Sequence, residues 1–304
     1  MSKFEYAASA GRLVRFAVAG SGMALAMALL SGCSMFGPTK IQAEPIVPVE
    51  TQYQAVLKDM DEQHYNQAVT DLQLLERQHP YSDYNEKAKL METYANYRMG
   101  HFPDAITASD RYIALFPDSD QIAYVLYLKG TAYFAQMTDI TRDQQDTQDT
   151  IDTYTLLIAN YPKSDYAKDA QLKLAIAVDQ LAGKEMSVGR YYEGNGQYPA
   201  AINRFRNVVD HYQTSSHIEE ALFRLTECDL VLGLISEAQT AAAVLGHNYP
   251  ASPWYKEAFA LLQKQGVEPQ LNKQSTLAGA IAAPQAPVTA PPTDAGKPVP
   301  PPVI

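Results

Sequence analysis

Residues 188–205, VGRYYEGNGQYPAAINRF, contain the pattern from which the fold class can be predicted. In it, Gly196 lies five residues before Ala201. A glycine can end a helix because it adopts a left-handed backbone at little cost. A small side chain lets a second helix cross its neighbour closely. The stretch therefore predicts a helical hairpin, with one helix that ends near Gly196 and a second that runs through Ala201.

The same spacing recurs along the chain and predicts a repeat protein. Each copy ends with a ring, usually a proline, any residue and a serine, as in His79-Pro80-Tyr81-Ser82, Phe116-Pro117-Asp118-Ser119, Tyr161-Pro162-Lys163-Ser164, Tyr212-Gln213-Thr214-Ser215 and Tyr249-Pro250-Ala251-Ser252. Twelve residues before the proline position stands a small residue: Ala68, Ala105, Thr150, Ala201 or Ala238. A glycine stands five residues before three of these, at Gly100, Gly196 and Gly233. Proline stops a helix, and the serine is expected to cap the next one.

The repeat resembles the tetratricopeptide pattern, which has a period of about 34 residues. The best match has Val188-Gly189, two aromatic residues, Gly196, Ala201 and Phe205 at the pattern's positions. The fold class predicted is all-α, a right-handed solenoid of five tetratricopeptide-like helical hairpins plus a C-terminal helix. We expect a loop at 138–147 in the third repeat and one overlong first helix in the fourth.

Composition divides the chain into four parts. We predict a lipoprotein signal peptide at 1–32, a proline-containing tether at 33–49 and a tetratricopeptide-repeat domain at 50–265. The tail at 266–304, rich in proline and alanine, is expected to be disordered or polyproline-like. The approximate repeats are 50–82, 83–119, 120–164, 165–215 and 216–252, followed by a capping helix at 253–265.

The first residues resemble the leader of a bacterial lipoprotein. Basic residues precede an apolar run from Phe16 to Leu30, and Leu30-Ser31-Gly32-Cys33 resembles a lipobox. An ordinary signal peptide with an incidental cysteine is the alternative, but the small residues before Cys33 favour the lipobox. The resemblance implies that Cys33 is lipidated. Because Ser34 replaces the aspartate of inner-membrane retention, it also implies anchoring at the periplasmic face of the outer membrane of a Gram-negative bacterium.

Charge and motifs argue against nucleic-acid binding and against catalysis. The net charge is −10, and no basic run could neutralise phosphates. The sequence has no His-Glu-x-x-His, Gly-x-Ser-x-Gly or P-loop motif. Cys228 is expected to be a small buried apolar residue. We therefore predict no enzyme activity, cofactor or metal.

A series of aspartates could hold a cation or form a solvated helix start. The aspartates that recur every three residues are Asp143, Asp146, Asp149 and Asp152. Because they do not form a calcium-loop pattern, a solvated helix start is favoured over a cation site.

Two groups of residues are candidates for binding. Tyrosines pair at helical spacing, Tyr94 with Tyr97 and Tyr124 with Tyr127. Rings at this spacing most often pack in the core, but they can also line a groove that binds an extended substrate. Arg204 and Arg206 lie on the predicted second helix of the fourth repeat. Arginines contact carboxylates at interfaces, although surface ion pairs are the simpler explanation.

The lipobox and the repeats together resemble the BamD (ComL) family. The resemblance covers about residues 33–265, and its sharper parts are YVLYLKG at 124–130, SVGRYY at 187–192, AAINRF at 200–205 and NYPASPWY at 248–255. The tail after 269 and the loop at 138–147 lie outside it.

The family implies a non-catalytic lipoprotein of the outer-membrane β-barrel assembly (BAM) complex. Its amino-terminal repeats receive unfolded outer-membrane proteins, its later repeats contact BamA, and other BAM lipoproteins dock on it. The resemblance makes Arg204, with Asn203 and Arg206, the candidate for the BamA contact. A periplasmic tetratricopeptide scaffold for peptidoglycan or division proteins is the alternative.

Overall fold

The computed structural model describes residues 46–282, and within them every regular element is helical. The eleven α-helices are α1 Val49–Asp61, α2 Tyr65–Gln78, α3 Asn85–Arg98, α4 Phe102–Leu115, α5 Ile122–Gln136, α6 Gln145–Asn160, α7 Ala167–Gly194, α8 Tyr198–His211, α9 Ile218–Val231, α10 Ile235–Asn248 and α11 Pro253–Lys264. Consecutive helices pack as hairpins 1 to 5, and α11 packs on α9 and α10. The predicted fold class of five hairpins plus a C-terminal helix is confirmed; the superhelical hand stays a prediction.

The short turns inside hairpins 1, 2, 4 and 5 each contain a left-handed residue. Gly100, Gly196 and Gly233 have φ of 74°, 72° and 74° at the turns of hairpins 2, 4 and 5. In hairpin 1 the same position, five residues before Ala68, is held by Gln63 with φ of 60°. The small residues that the spacing singled out are fully buried: Ala68, Ala105, Thr150, Ala201 and Ala238. The sequence pattern thus marks the close crossing in each hairpin.

The repeated serine caps a helix at one position only. The Ser252 Oγ accepts a hydrogen bond from the Trp254 N–H (3.1 Å) as the N-cap of α11. The other four serines lie three residues before the next helix, because an extra turn separates the stop from the helix. The prediction of a serine cap is wrong for those four. Pro253 explains the difference, since proline favours the first position of a helix.

The long repeats have the insertions that the sequence predicts. Residues 137–144 form the loop between α5 and α6, which ends three residues earlier than predicted because Gln145 begins α6; α7 is 28 residues long. The apolar core is divided along α7. One cluster extends from Tyr53 to Ala170 and the other from Ala182 to Leu277.

The C-terminal segment is ordered further than predicted. Residues 267–280, which we call the C-terminal strap, lie along α10, and a 3₁₀ helix forms at Thr276–Ala282. Leu277 of the strap is 1% exposed. The prediction of disorder from residue 266 is therefore wrong for the strap, because Leu277 buries its side chain and polar groups of α10 bond the strap backbone. Residues 283–304 lie outside the described residues.

No helix in residues 46–282 is long and apolar enough to cross a membrane. Cys33 and the leader also lie outside the described residues. At the start of the described chain, the Val47 carbonyl accepts a hydrogen bond from His79 Nε2 (2.8 Å), so Val47 contacts the end of α2 in hairpin 1.

Candidate partner-binding site

A pocket of about 470 Å³ lies on hairpin 4. Its walls come from α7 and α8 and are mostly polar: Glu185, Tyr192, Ala200, Asn203, Arg204, Arg206, Asn207 and Asp210. All three residues proposed for the BamA contact are among them. The structure therefore brings Asn203, Arg204 and Arg206 together at one open surface.

The packing of α8 fixes which side chains face the pocket. Phe205 is fully buried, and its ring lies against Gly189 of α7, where a Cβ would collide with it. Ala201 and Val208 are buried on the same side of α8 as Phe205. With this apolar side in the core, the polar residues of α8 are directed outwards.

Arg204 makes an exposed ion pair. Its Nη1 lies 3.2 Å from the Glu185 Oε2 of α7, and the Arg204 side chain remains 44% exposed. A pair this open contributes little to stability, so it is available for exchange with another carboxylate. Glu185 also lines a second cavity of about 320 Å³, together with Arg142, Gln144 and Lys184.

The loop between α5 and α6 is fixed beside the pocket. Lys184 Nζ donates to the Arg142 carbonyl (3.0 Å), and Gln180 Nε2 donates to the Thr138 carbonyl and to Gln144 Oε1 (3.1 Å). The insertion of the third repeat is therefore a wall next to the Arg204 site. Sequence reasoning predicted the loop but missed its contact with α7, because the contact joins residues about 40 positions apart.

Arg206 has a different environment from Arg204. Its Nη2 lies 3.7 Å from Glu237 Oε2 of α10, and its buried Nε has no hydrogen-bond partner within residues 46–282. Nearby on α9, Asp229 is fully buried, and neither of its carboxylate oxygens has a hydrogen-bond partner in that range. Burial raises the pKa of Asp229 to about 6, while the charge of Arg206 acts in the opposite direction.

Three of the four candidate tyrosines are buried, so they do not line an open groove. Tyr94, Tyr124 and Tyr127 are 4%, 1% and 6% exposed. The Tyr127 ring stacks on Tyr166 with centroids 5.2 Å apart, and its hydroxyl donates to Asp169 Oδ2 (2.6 Å). The groove prediction is wrong for these three rings, because the first helices of successive hairpins pack through them.

Tyr97 is half-buried against Phe102, with ring centroids 6.1 Å apart. It alone of the four tyrosines keeps part of its ring at the surface, and its role in substrate binding stays a prediction.

A polar groove lies between α2 and α4, with α3 at its floor. Its volume is about 390 Å³, and it is lined by Asn66, Val69, Thr70, Gln73, Glu92, Asn96, Met99, His101, Asp104, Thr107, Ala108 and Arg111. Asn96 lines the groove from α3 and is 6% exposed. Its side-chain amide offers both a donor and an acceptor to a ligand in this groove.

Cys228 has the structural role predicted for it, whereas the aspartate series extends beyond the start of α6, whose first turn contains Asp146 alone of the four. Cys228 is fully buried, and burial raises the pKa of its thiol, which keeps it protonated. Asp149 and Asp152 accept hydrogen bonds from glutamines one turn earlier on α6. Within residues 46–282, the potential metal-ligand atoms that converge belong to Asp59, Glu62 and His64, at the surface turn of hairpin 1.

Fold and site together define a class of protein, a helical-hairpin repeat protein whose open polar surfaces are suited to binding other chains. Residues 46–245 match the family model YfiO, described as outer membrane lipoprotein. The chain belongs to this family, in which the curated relatives carry the name BamD.

The relatives match over most of their own length. The outer membrane protein assembly factor BamD of Caulobacter vibrioides is 42% identical over 247 residues, which are 81% of this chain and 80% of that protein. BamD of Rickettsia prowazekii is 36% identical over 235 residues, which are 77% of this chain and 92% of that protein. The crystal structure of PilW, a type IV pilus biogenesis factor, aligns with 71% of this chain and with 99% of the PilW chain. The sequence identity is 17% and the TM-score is 0.31, a similarity too low to support an argument.

Proposed function

We propose that this protein is a non-catalytic, lipid-anchored outer-membrane protein assembly factor that holds BamA and receives unfolded outer-membrane proteins. Membership of the family supports the assembly role. The observation that carries the partner site is the open pocket in which Asn203, Arg204 and Arg206 converge on α8. The other BAM lipoproteins are expected to share the same scaffold.

Charge exchange explains how the pocket would bind BamA. An acidic side chain of the partner would replace Glu185 opposite Arg204, and Asn203 would supply an amide beside it. Arginine suits this role because its guanidinium makes paired hydrogen bonds to a carboxylate.

Affinity purification of the full chain from membranes tests the partner. After mild-detergent extraction, we expect a large β-barrel protein with soluble periplasmic domains at near-equal amount with the wild-type chain. Arg204→Ala should reduce its recovery several-fold. Arg77→Ala is the matched control, because Arg77 is an exposed arginine on α2, far from hairpin 4 in sequence.

Two results would contradict this part of the proposal. Equal recovery with Arg204→Ala and with Arg77→Ala would remove the pocket from the partner site. Recovery of peptidoglycan enzymes without the barrel protein would favour the alternative, a periplasmic scaffold for wall or division proteins.

The groove between α2 and α4 is our candidate for the substrate site. An extended, unfolded chain has unpaired N–H and C=O groups, and the amide of Asn96 can serve one of each. The hydroxyls and amides of the walls offer further contacts to the same main chain. This location keeps the substrate on the amino-terminal repeats but moves it away from the buried tyrosines.

Peptide binding tests the groove directly. A peptide with the carboxy-terminal sequence of an outer-membrane β-barrel protein should bind the full chain several-fold more weakly after Asn96→Ala. Asn160→Ala, at the exposed end of α6, should leave binding unchanged. If Tyr97→Ala weakens binding while Asn96→Ala does not, the substrate lies on the tyrosine side instead.

The lipid anchor is tested separately. Replacement of Cys33 by Ser should release the chain from the outer-membrane fraction, because serine has no thiol to which the lipid can be attached. Retention of the Cys33→Ser chain in that fraction, at the wild-type level and after high-salt washing, would contradict lipid anchoring through Cys33.

A further inference from the structure

The C-terminal strap reaches the partner-binding pocket through two side chains. Ser275 of the strap donates a hydrogen bond to Glu237 Oε2 of α10 (2.6 Å). The same carboxylate oxygen lies 3.7 Å from Arg206 Nη2 on α8. Arg206 in turn lines the pocket with Arg204 and Asn203. A segment about 70 residues away in sequence thus contacts the ion pair that restrains a pocket arginine.

The distance between Arg206 and Glu237 is longer than a hydrogen bond. A charge-assisted N–H···O bond is about 2.7–2.9 Å long, so this ion pair is open by close to 1 Å. The oxygen that would close it already accepts from Ser275. Arg206 also has an unpartnered Nε in the described structure, so its guanidinium retains donor capacity. The arginine is therefore held near the pocket without being fully bound by its own acidic neighbour.

The strap is anchored on both sides of Ser275. Before it, the Asn272 N–H donates to Thr240 Oγ1 (3.1 Å); after it, Asn248 Nδ2 donates to the Ala280 carbonyl (2.8 Å). Leu277 is buried in the C-terminal core. These contacts fix the position of the Ser275 hydroxyl. The strap lies outside residues 46–245, which match the family model.

We propose that the strap positions Arg206 for partner binding, with Ser275 as the positioning residue. The Ser275 hydroxyl tethers Glu237 Oε2 to the strap and thereby keeps that carboxylate from closing on Arg206. Without it, Glu237 binds Arg206 directly and draws the guanidinium away from the pocket, where a partner carboxylate would meet it. The inference rests on the proposed function, since it concerns the same pocket.

The experiment measures the affinity of the full chain, without its lipid, for the purified soluble periplasmic domains of BamA. Ser275→Ala should weaken binding about 5-fold, the effect of losing one modest interaction. Gln274→Ala, an exposed neighbour on the strap, is the control and should bind as the wild type does. Ser275→Thr keeps the hydroxyl and should bind normally.

Two double variants separate positioning from a merely structural effect. Glu237→Gln removes the charge that attracts Arg206, so Ser275→Ala combined with Glu237→Gln should recover most of the affinity. In an Arg206→Ala background, Ser275→Ala should cause no further loss. If Ser275→Ala weakened binding by loosening the fold in general, the loss of affinity would persist in both backgrounds. Thermal melts of each variant would also show a lower melting temperature.

The outcomes distinguish this inference from the proposed function. Normal binding by Ser275→Ala, with weakened binding by Arg204→Ala, would overturn the strap and leave the pocket in place. Loss of binding by Ser275→Ala that Glu237→Gln does not restore would also overturn it. Unchanged binding by Arg204→Ala would remove the pocket itself, and the inference with it.

Discussion

At the scale of single residues, the hairpin turns show how one backbone conformation selects the side chain. A left-handed residue costs a side chain with a Cβ about 1–2 kcal/mol, and glycine largely avoids this cost. Gly100, Gly196 and Gly233 satisfy the turn in this way, whereas Gln63 takes φ of 60° with a full side chain. The turn of hairpin 1 therefore carries local strain that the glycine turns of hairpins 2, 4 and 5 do not carry.

We expect Gln63→Gly to raise the free energy of unfolding by roughly 0.5–1 kcal/mol, since relief of the strained φ outweighs the entropy that glycine adds to the unfolded chain. Urea denaturation checks this. The reverse change at the equivalent position, Gly100→Ala, should lower stability by about 1 kcal/mol or more. Changes of the same sign in both variants would contradict the argument.

Asp229 is a second residue whose environment opposes its ordinary state. Burial raises the pKa of its carboxyl from 3.8 to about 6, although Arg206 favours the ionised form. The folded state thus binds more protons than the unfolded state between about pH 4 and 6. Stability therefore falls as the pH rises through this window, and the cost of the charged carboxylate is fully present above it.

Asp229→Asn should therefore stabilise the protein at pH 8 by about 1–3 kcal/mol and have little effect below pH 4. Denaturation of both proteins from pH 4 to 8 measures the difference. The exposed Asp118→Asn variant is the control and should show no such trend. Parallel stability curves for Asp229→Asn and the wild type would show that the buried carboxyl carries no penalty.

At the scale of helices, first and second helices of the hairpins bury different shares of their surface. The middle of α3, from Ala88 to Asn96, is buried without interruption, whereas α2 buries three residues along one side. A helix surrounded by its own partner and both neighbouring hairpins loses its exposed face. Its sequence therefore lacks the one-sided apolar stripe that marks α8.

The helix starts offer a direct comparison between two repeated serines. The Ser252 Oγ accepts the Trp254 N–H, while the buried Ser164 Oγ has no hydrogen-bond partner within residues 46–282. Ser252→Ala should cost about 1 kcal/mol, and Ser164→Ala should cost close to nothing. Thermal melts of the two variants give the comparison. Equal losses would mean that both serines act as caps.

At the scale of the whole molecule, the 28-residue helix α7 joins the two core clusters, because its first turns pack in one cluster and its later turns in the other. In a repeat protein each hairpin is stabilised chiefly by its neighbours, so a local loss of packing spreads only a short way. The first three hairpins, with the candidate substrate groove, and the last two, with the candidate BamA pocket, are therefore expected to open separately.

Leu262→Ala, in the core of α11, should cost about 2–4 kcal/mol in the C-terminal hairpins and speed amide hydrogen exchange in α8 to α11. Exchange in α1 to α4 should not change. Leu75→Ala removes a fully buried side chain from the N-terminal cluster. It should speed amide hydrogen exchange in α1 to α4 and leave exchange in α8 to α11 unchanged. Faster exchange along the whole chain in either variant would show one cooperative unit.

The hairpin count, the second-helix crossings and the long α7 could be predicted from the sequence, because glycine, proline and small residues act on the backbone locally. The sequence also placed Asn203, Arg204 and Arg206 on one helix, since Phe205 and Ala201 mark the buried side of α8.

The partners of those residues follow from the packing of the folded chain. Glu185 beside Arg204, Glu237 and Ser275 beside Arg206, and the loop against α7 are contacts between distant parts of the chain. The tyrosines illustrate the same limit, because a ring at helical spacing has the same pattern whether it faces a neighbouring hairpin or solvent. Burial depends on which helix packs opposite, and helical periodicity in one segment does not contain that information.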